Sequence, residues 1–455
     1  MSNKSVAPKA PAPLAAVPFM IPEMEERRLS NGLRVVLLKN NSLPLLNIRF
    51  ISHYGEVNDP ASRFGVIGAM SSLITEGTKS FKSREIAEKI ETLGASIGAS
   101  SSADAFGVSA SCLSIHFETV LDVFSEIILS PTFPENELEL FKVNALEGLK
   151  YQRSQPPFLA DERYSKEIYG GHPYSHVSAV PDMIRGLSRE DLVAAHSSIG
   201  VSNCTLLVVG DFETEDILTR MEKHFSRLPQ GGESMSEFPE LPERKGRKLV
   251  VVDRVGSAQS NIVMGNAAIP RLHPEYFAAT VMNQILGAGA SSRLFMNLRE
   301  DKGYTYGAYS KFAMRRFAGD FEASAEVRTE VTGAAINEFM TEFENIRNHE
   351  VPTVELDDAK NYMTGVFPLR LETQEGLTNA LGQQIVFGLH ERYLQDYRDM
   401  VNEVTAEDVF KVAREWIRPE SFAIVIVGDS KSILDQLPDI AEETEVYDTE
   451  GNRIS

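Results

Sequence analysis

The chain has little of what a disulfide, membrane or nucleic-acid role requires. It holds 2 cysteines in 455 residues, Cys112 and Cys204, too few and too far apart for a disulfide framework. They fit no metal or redox spacing and are expected as buried free thiols. No apolar run approaches the ~20 residues that span a bilayer. Basic residues are scarce against acidic ones, 45 Lys and Arg against 65 Asp and Glu, for a net charge of −20. That balance excludes the basic footprint of a nucleic-acid binder. It leaves two readings of the acidity: ordinary solvation, or an acidic chamber for basic peptides.

What is present describes a soluble globular protein of more than one core. Apolar residues make up 42% of the sequence, and charge is spread evenly. Residues 1–24 read as a disordered leader, rich in Pro and Ala up to Pro18. Leu14-Ala15-Ala16-Val17 is too short for a signal-peptide core. The cytoplasm is the default compartment, and the periplasm is the alternative if a leader has been removed.

The chain repeats itself at about half its length. Ser188-Arg-Glu-Asp-Leu192 precedes Cys204-Thr-Leu-Leu-Val-Val-Gly-Asp211, and Thr405-Ala-Glu-Asp-Val409 precedes Phe422-Ala-Ile-Val-Ile-Val-Gly-Asp429. Each pair reads as a capped helix feeding a buried strand. Matched features at one offset indicate two similar halves. The expected domains are 25–228 and 248–436, joined by a Pro/Gly-rich linker at 229–247 and followed by a tail at 437–455. Asn31-Gly32 marks a hairpin, and a strand is expected from Leu46 to Ile51. Ser83 should cap a helix that Gly94 stops. The small, alternating stretch Gly94 to Leu113 suits two strands. Helices are expected over Phe117 to Leu129 and from Glu135 to Gln155. Strands mostly joined by hairpins predict an α+β fold, each half an antiparallel-rich sheet with helices on one face.

The stretch Phe64-Gly-Val-Ile-Gly-Ala-Met-Ser-Ser-Leu-Ile-Thr-Glu-Gly-Thr78 precedes this pattern, and Leu298-Arg-Glu-Asp-Lys-Gly-Tyr-Thr-Tyr-Gly307 lies in the second half. These frames, the two halves and the linker resemble the pitrilysin (inverzincin) peptidases, in their bacterial two-domain branch related to mitochondrial processing peptidase. The resemblance covers about residues 25 to 435. It implies two α+β domains per chain, with two chains closing as a clamshell around a peptide chamber. Active members carry a His-x-x-Glu-His helix, whose i, i+3, i+4 spacing puts two zinc ligands and a general base on one face. On that frame the first His falls on Gly68, the Glu on Ser71 and the second His on Ser72. The third ligand falls on Gly148, eight residues before Pro156, and a further active-site Glu falls on Phe141. Glu147 is one step off and should face elsewhere. A glycine offers no ligand, and serine hydroxyls are poor ligands and no base at neutral pH. The resemblance therefore implies a degenerate zinc site: no metal or cofactor in this chain, and zinc in a partner.

The second half keeps what the first loses. Arg299 and Tyr306 hold the seven-position spacing of the family's Arg/Tyr pair, which reaches across the chamber and donates to the peptide near the scissile carbonyl. The alternative is an ordinary surface Arg and a strand Tyr. Gly287 to Gly289 lacks the Gly-Lys-Ser/Thr ending of a phosphate loop. His172 and His176 flank Pro173, which breaks helical register, so they read as a turn. The edge strand Ala99, Ser100, Ser101 and Ser102 corresponds to the family's peptide-pairing strand; the alternative is a plain sheet edge.

Two functions follow. One is a non-zinc subunit of a heterodimeric metallopeptidase, lending Arg299 and Tyr306 in trans to a zinc-bearing homologous partner acting on a peptide. The other is a non-catalytic scaffold or peptide-binding homodimer of the same fold.

Overall fold

The computed structural model describes residues 20–232 and 237–455. The expected leader lies almost wholly outside the described residues, and Met24 already opens the first strand. Among the described residues no helix is long and apolar enough to cross a membrane.

The first of two six-stranded sheets contains β1 (Met24–Arg28), β2 (Arg34–Lys39), β3 (Leu45–Ser52), β4 (Ser96–Ser101), β5 (Phe106–Leu113) and β6 (Cys204–Gly210), ordered β1-β2-β6-β3-β5-β4. The second contains β7 (Lys248–Asp253), β8 (Gln259–Ala268), β9 (Thr305–Met314), β10 (Gly319–Arg328), β11 (Ala423–Gly428) and β12 (Glu443–Tyr447), ordered β12-β7-β11-β8-β10-β9. From β2 and β7 onward the two orders match strand for strand. The two halves share one parallel pair at the corresponding place, β2 with β6 and β7 with β11, followed by an antiparallel run. The outermost strands differ: β1 precedes β2 and pairs antiparallel, whereas β12 pairs parallel to β7. Residues 437–455 are thus no mere tail. Val446 is buried beside Val251, and the Glu445 carboxylate accepts from Lys248 at 2.8 Å. A short strand of alternating charge gives too weak a signal to be read before its neighbour is known.

Local chemistry explains the repeat. The Ser188 hydroxyl accepts from the Asp191 N–H at 3.2 Å, while the Asp191 carboxylate accepts from the Ser188 N–H at 2.9 Å. Thr405 and Asp408 repeat this capping box at 3.1 and 2.8 Å. One cap differs from expectation. The helix Ser83–Thr92 is capped at Lys82, whose N–H is held by Glu85 at 2.9 Å; the Ser83 hydroxyl instead donates to Glu76 at 2.6 Å. The expected linker is pinned where it is described, with Phe238 5.0 Å from Phe317 and Arg244 3.0 Å from Glu167.

The central strands β6 and β11 are buried along their whole length. One face of each packs on its own half's helices, through Leu206 and Val208 or Ile424 and Ile426. The other face is covered by the opposite half. Leu377, Leu381 and Ile385 of helix Gln374–Phe387 lie on Leu207 and Val209 of the first sheet. Leu159, Tyr164 and Ile168 of helix Pro156–Tyr169 lie on Val425 and Val427 of the second. The Tyr164 hydroxyl donates to the Phe321 carbonyl at 2.7 Å, which removes the penalty of burying it. So helices cover one face of each sheet from within its half, as expected, and the halves exchange one helix to cover the other.

Leu381 is 1% exposed at that exchange. Leu381→Ala should cost about 2–5 kcal/mol in chemical denaturation. Val143→Ala, on an exposed helix face, should stay within about 0.5 kcal/mol. Because each half covers the other, a single cooperative transition is expected; two resolved transitions would contradict the exchange.

Candidate functional site

The helix Val66–Leu73 holds Gly68, Ser71 and Ser72. Its N-terminus is set by Asp59, whose carboxylate accepts from the N–H groups of Gly65 at 2.7 Å and Ile67 at 3.0 Å. Gly65 has φ +100°, a conformation that glycine adopts without strain. Burial pushes the Asp59 carboxyl up to about 7, against the pull of these amide bonds.

The peptidase positions are filled with structural roles. Ser71 is buried, and the Ser72 hydroxyl donates to the Gly68 carbonyl at 3.0 Å within its own helix. A Cβ on Gly68 would lie 3.7 Å from Glu56 Oε1 and 3.9 Å from Ser101 Oγ. Those two groups bond each other at 2.6 Å across the space into which a longer side chain would grow. Gly148 stands on the helix Glu135–Arg153, where a Cβ would meet nothing within 4 Å. Phe141, on the same helix, packs against the first core. Glu147 faces solvent, 3.8 Å from Lys150, as its offset predicts. Among the described residues no trio of His, Cys, Asp or Glu converges on this helix.

β4 is one free edge of the first sheet. Ala99, Ser100 and Ser101 lie in it, but Ser102 does not. The Ser102 N–H donates to Ala105 at 2.8 Å and its carbonyl accepts from Glu56 at 3.0 Å, so its backbone is committed to the turn. Beside this edge a cleft of about 710 Å³ runs between the first sheet and helix Gln374–Phe387, lined by Arg49, Glu56, Ser100, Arg315 and Gln383 among others.

β9 is the equivalent edge of the second sheet, and it carries Tyr306. The ladder slips between Ala325 and Val327, so that Tyr306 and Gly307 face Glu326 alone. Such a bulge re-aims a side chain, and Tyr306 is 90% exposed. Arg299 lies in the π-helical turn Met296–Asp301, with its guanidinium 4.7 Å over the Phe295 ring and 3.6 Å from Glu300. Gly303, at φ +63°, turns the chain between them. No hydrogen bond or ring contact joins Arg299 to Tyr306 among the described residues; the structure puts them on adjacent elements of one edge. Tyr306 is exposed, and the Arg299 guanidinium is half-exposed beside Glu300.

The glycine-rich stretch packs rather than binds. A Cβ on Gly287 would meet the Ser310 backbone N at 2.4 Å, because β9 crosses it there. The two histidines do not converge on a metal. His172 Nδ1 accepts from the Tyr174 N–H at 3.1 Å, and burial pushes its ring down to about 4. His176 stacks on Phe64 at 4.9 Å. Sequence reasoning named Ser101 only as part of the edge strand and missed Glu56, whose only signal is that a small residue at Gly68 leaves room for it. It also missed the bulge, which the Tyr-Gly dipeptide in a strand hints at.

Comparison with known proteins bears on the family and the fold. Residues 34–181 match the profile described as insulinase (peptidase family M16), and residues 186–363 match that of the peptidase M16 inactive domain. A Bacillus subtilis protein named uncharacterized zinc protease YmxG is 25% identical over 410 residues, 88% of this chain and 97% of its own. A Helicobacter pylori protein named non-peptidase homolog YmxG is 23% identical over 400 residues, 86% of this chain and 91% of its own. A Pseudomonas fluorescens structure described as a peptidase M16 inactive domain superposes with a TM-score of 0.83 at 27% identity, covering 89% of this chain and 98% of its own. A Helicobacter pylori structure described as a protease has a TM-score of 0.81 at 22% identity, covering 90% of this chain, and shares the fold.

Gly287→Ala should destabilise the protein by about 1–3 kcal/mol through overpacking against β9. Gly289→Ala, whose nearest neighbour is the Gln284 side chain at 3.3 Å, should leave the melting temperature nearly unchanged. Equal effects in thermal denaturation would refute the packing role.

Proposed function

This chain is a member of peptidase family M16, and we propose that it is the zinc-free subunit of a two-chain peptidase of that family. One observation carries the reading. An aromatic hydroxyl 90% exposed on a bulged sheet edge has no role in this chain's own packing. A few residues away Arg299 offers a half-exposed guanidinium. A phenol and a guanidinium are the donors that a developing oxyanion needs. The helix that would hold the metal in this chain lacks ligand and base alike, so the oxyanion would form at a partner's zinc.

The rest of the surface supports a partner. Leu140, Val143 and Tyr151 are exposed on helix Glu135–Arg153, as are Val354, Tyr362 and Leu369 on helix Thr353–Leu371. Exposed apolar residues on corresponding helices of both halves are a surface suited to another chain. An obligate interface would bury more than roughly 2,000 Å². The free edge of β4 could pair with extended peptide, and Ala99 to Ser101 offer small side chains there.

The test is co-expression with a zinc-bearing homologue from the same cell. The chain alone should hydrolyse no peptide, and the pair should co-elute in size-exclusion chromatography and be active. Arg299→Ala or Tyr306→Phe should leave co-elution intact. If each donates to the oxyanion, each should lower kcat ~10²–10³-fold, or about 2.7–4 kcal/mol. A rise in KM at constant kcat would instead assign them to ground-state peptide binding. Unchanged kinetics in both variants, or separate elution at micromolar concentration, would favour the scaffold or homodimer instead.

A further inference from the structure

Helices Phe117–Leu129 and Thr214–Phe225 pack together on the first sheet. Between them lies a group of side chains that the proposed function does not use. Glu118 and Asp122 are one turn apart on the first helix, and His224 on the second faces both. Nε2 of His224 is 3.5 Å from Asp122 Oδ1 and 3.9 Å from Glu118 Oε1. The His224 side chain is nine-tenths buried, with 10% exposed, and Nε2 has no hydrogen-bond partner.

The Ser125 hydroxyl lies 3.1 Å from the Asp122 carbonyl and 3.0 Å from His224 Nδ1, so it can bond the ring in either tautomer. With no cation present, the two carboxylates favour a proton on Nε2. A cation between them favours the tautomer with its proton on Nδ1, held by Ser125, and the Nε2 lone pair turned inward. In that tautomer three electron-rich donors converge. That is the arrangement of a metal-ligating histidine, whose other ring nitrogen is held by an outer hydrogen bond.

We propose that Glu118, Asp122 and His224 bind a divalent transition-metal ion of the zinc and cobalt class, with water completing its shell. A tetrahedral ion with bonds of about 2.0–2.2 Å spaces its donors by roughly 3.3–3.6 Å; His224 Nε2 lies 3.5 and 3.9 Å from the two carboxylates, and all three donors lie within 4.8 Å of one another. Imidazole with carboxylate selects such ions over magnesium or calcium. Two cations compete for Glu118. Arg220 holds Oε2 at 2.9 Å, and Lys223 holds Oε1 at 2.6 Å. The Lys223 side chain is 62% exposed and can swing into solvent, freeing Oε1 for the metal, while Arg220 keeps Glu118 in place. The expectation of no metal in this chain came from the peptidase positions alone. This trio joins two segments far apart in sequence and matches no local ligand spacing. It does not depend on the proposed subunit role.

Titration of the full, untagged chain with Co²⁺, read by its visible absorption, tests the site. One equivalent should give a spectrum that Zn²⁺ displaces. His224→Gln should abolish it. Ser125→Ala, which frees the ring without removing a ligand, should weaken binding about 10–100-fold. Circular dichroism checks that each variant is folded. Should His224→Gln not fold, Asp122→Asn, at an exposed position, serves in its place and should likewise abolish the spectrum. No spectrum with the wild-type chain, or one that survives loss of His224 or Asp122, would overturn the proposal.

Discussion

The exchange of one helix between the halves is the constraint on which the rest depends. A central strand such as Cys204–Gly210 or Ala423–Gly428 has no polar face to offer solvent. Its own half covers only one side. Burying a leucine side chain is worth about 1.5–3 kcal/mol, so a bare second face would cost several times that. Helix Gln374–Phe387 covers the first sheet and helix Pro156–Tyr169 the second. The polar contacts across the junction, Tyr164 to Phe321 and Arg49 to Asn379, follow from this burial rather than cause it.

Covering both faces also decides where reactive edges can lie. β1 and β12 end one side of the two sheets, and β4 and β9 are the edge strands at the other end, at the same position in the two orders. One edge carries small residues and the other a bulge with an outward tyrosine. An unpaired edge invites pairing with another chain. Under the proposed function, one edge would receive extended backbone and the other a negative oxygen. The spaces for a zinc ligand and a base are filled or left bare: Glu56 and Ser101 lie against Gly68, and Gly148 faces open space.

Much of this was legible in the residues. The capping boxes at Ser188 and Thr405, and the unbroken apolar runs after them, announced two similar halves because caps and buried strands are local chemistry. That Gly68, Ser71 and Ser72 share one helix, Val66–Leu73, was legible from the run of residues; their correspondence to zinc-site positions rests on the family resemblance and belongs to the proposal. The source of the second cover was not, since nothing in Cys204–Gly210 says which distant helix lies on it. Ser102 was read into the strand because its small polar character matches its neighbours; its backbone bonds to Ala105 and Glu56 separate it. The cap at Lys82 was missed because Ser83 is the better capping residue by type, yet its hydroxyl is claimed by Glu76. Val446 went unnoticed because one buried position among charged ones carries no period.

The exchanged helices also set the order in which the chain can complete itself. The Arg49–Asn379 contact spans 330 residues, so the second face of the first sheet cannot be covered until most of the chain exists. On a ribosome that adds ~5–20 residues per second, the apolar face at Leu207 and Val209 stays uncovered for roughly 10–35 seconds after β6 has been made. Non-local closure of this kind slows folding and exposes surface that aggregates. The same device that makes two halves one body thus gives the nascent chain a sticky interval, and yield in the cell should depend on chaperones that shield it.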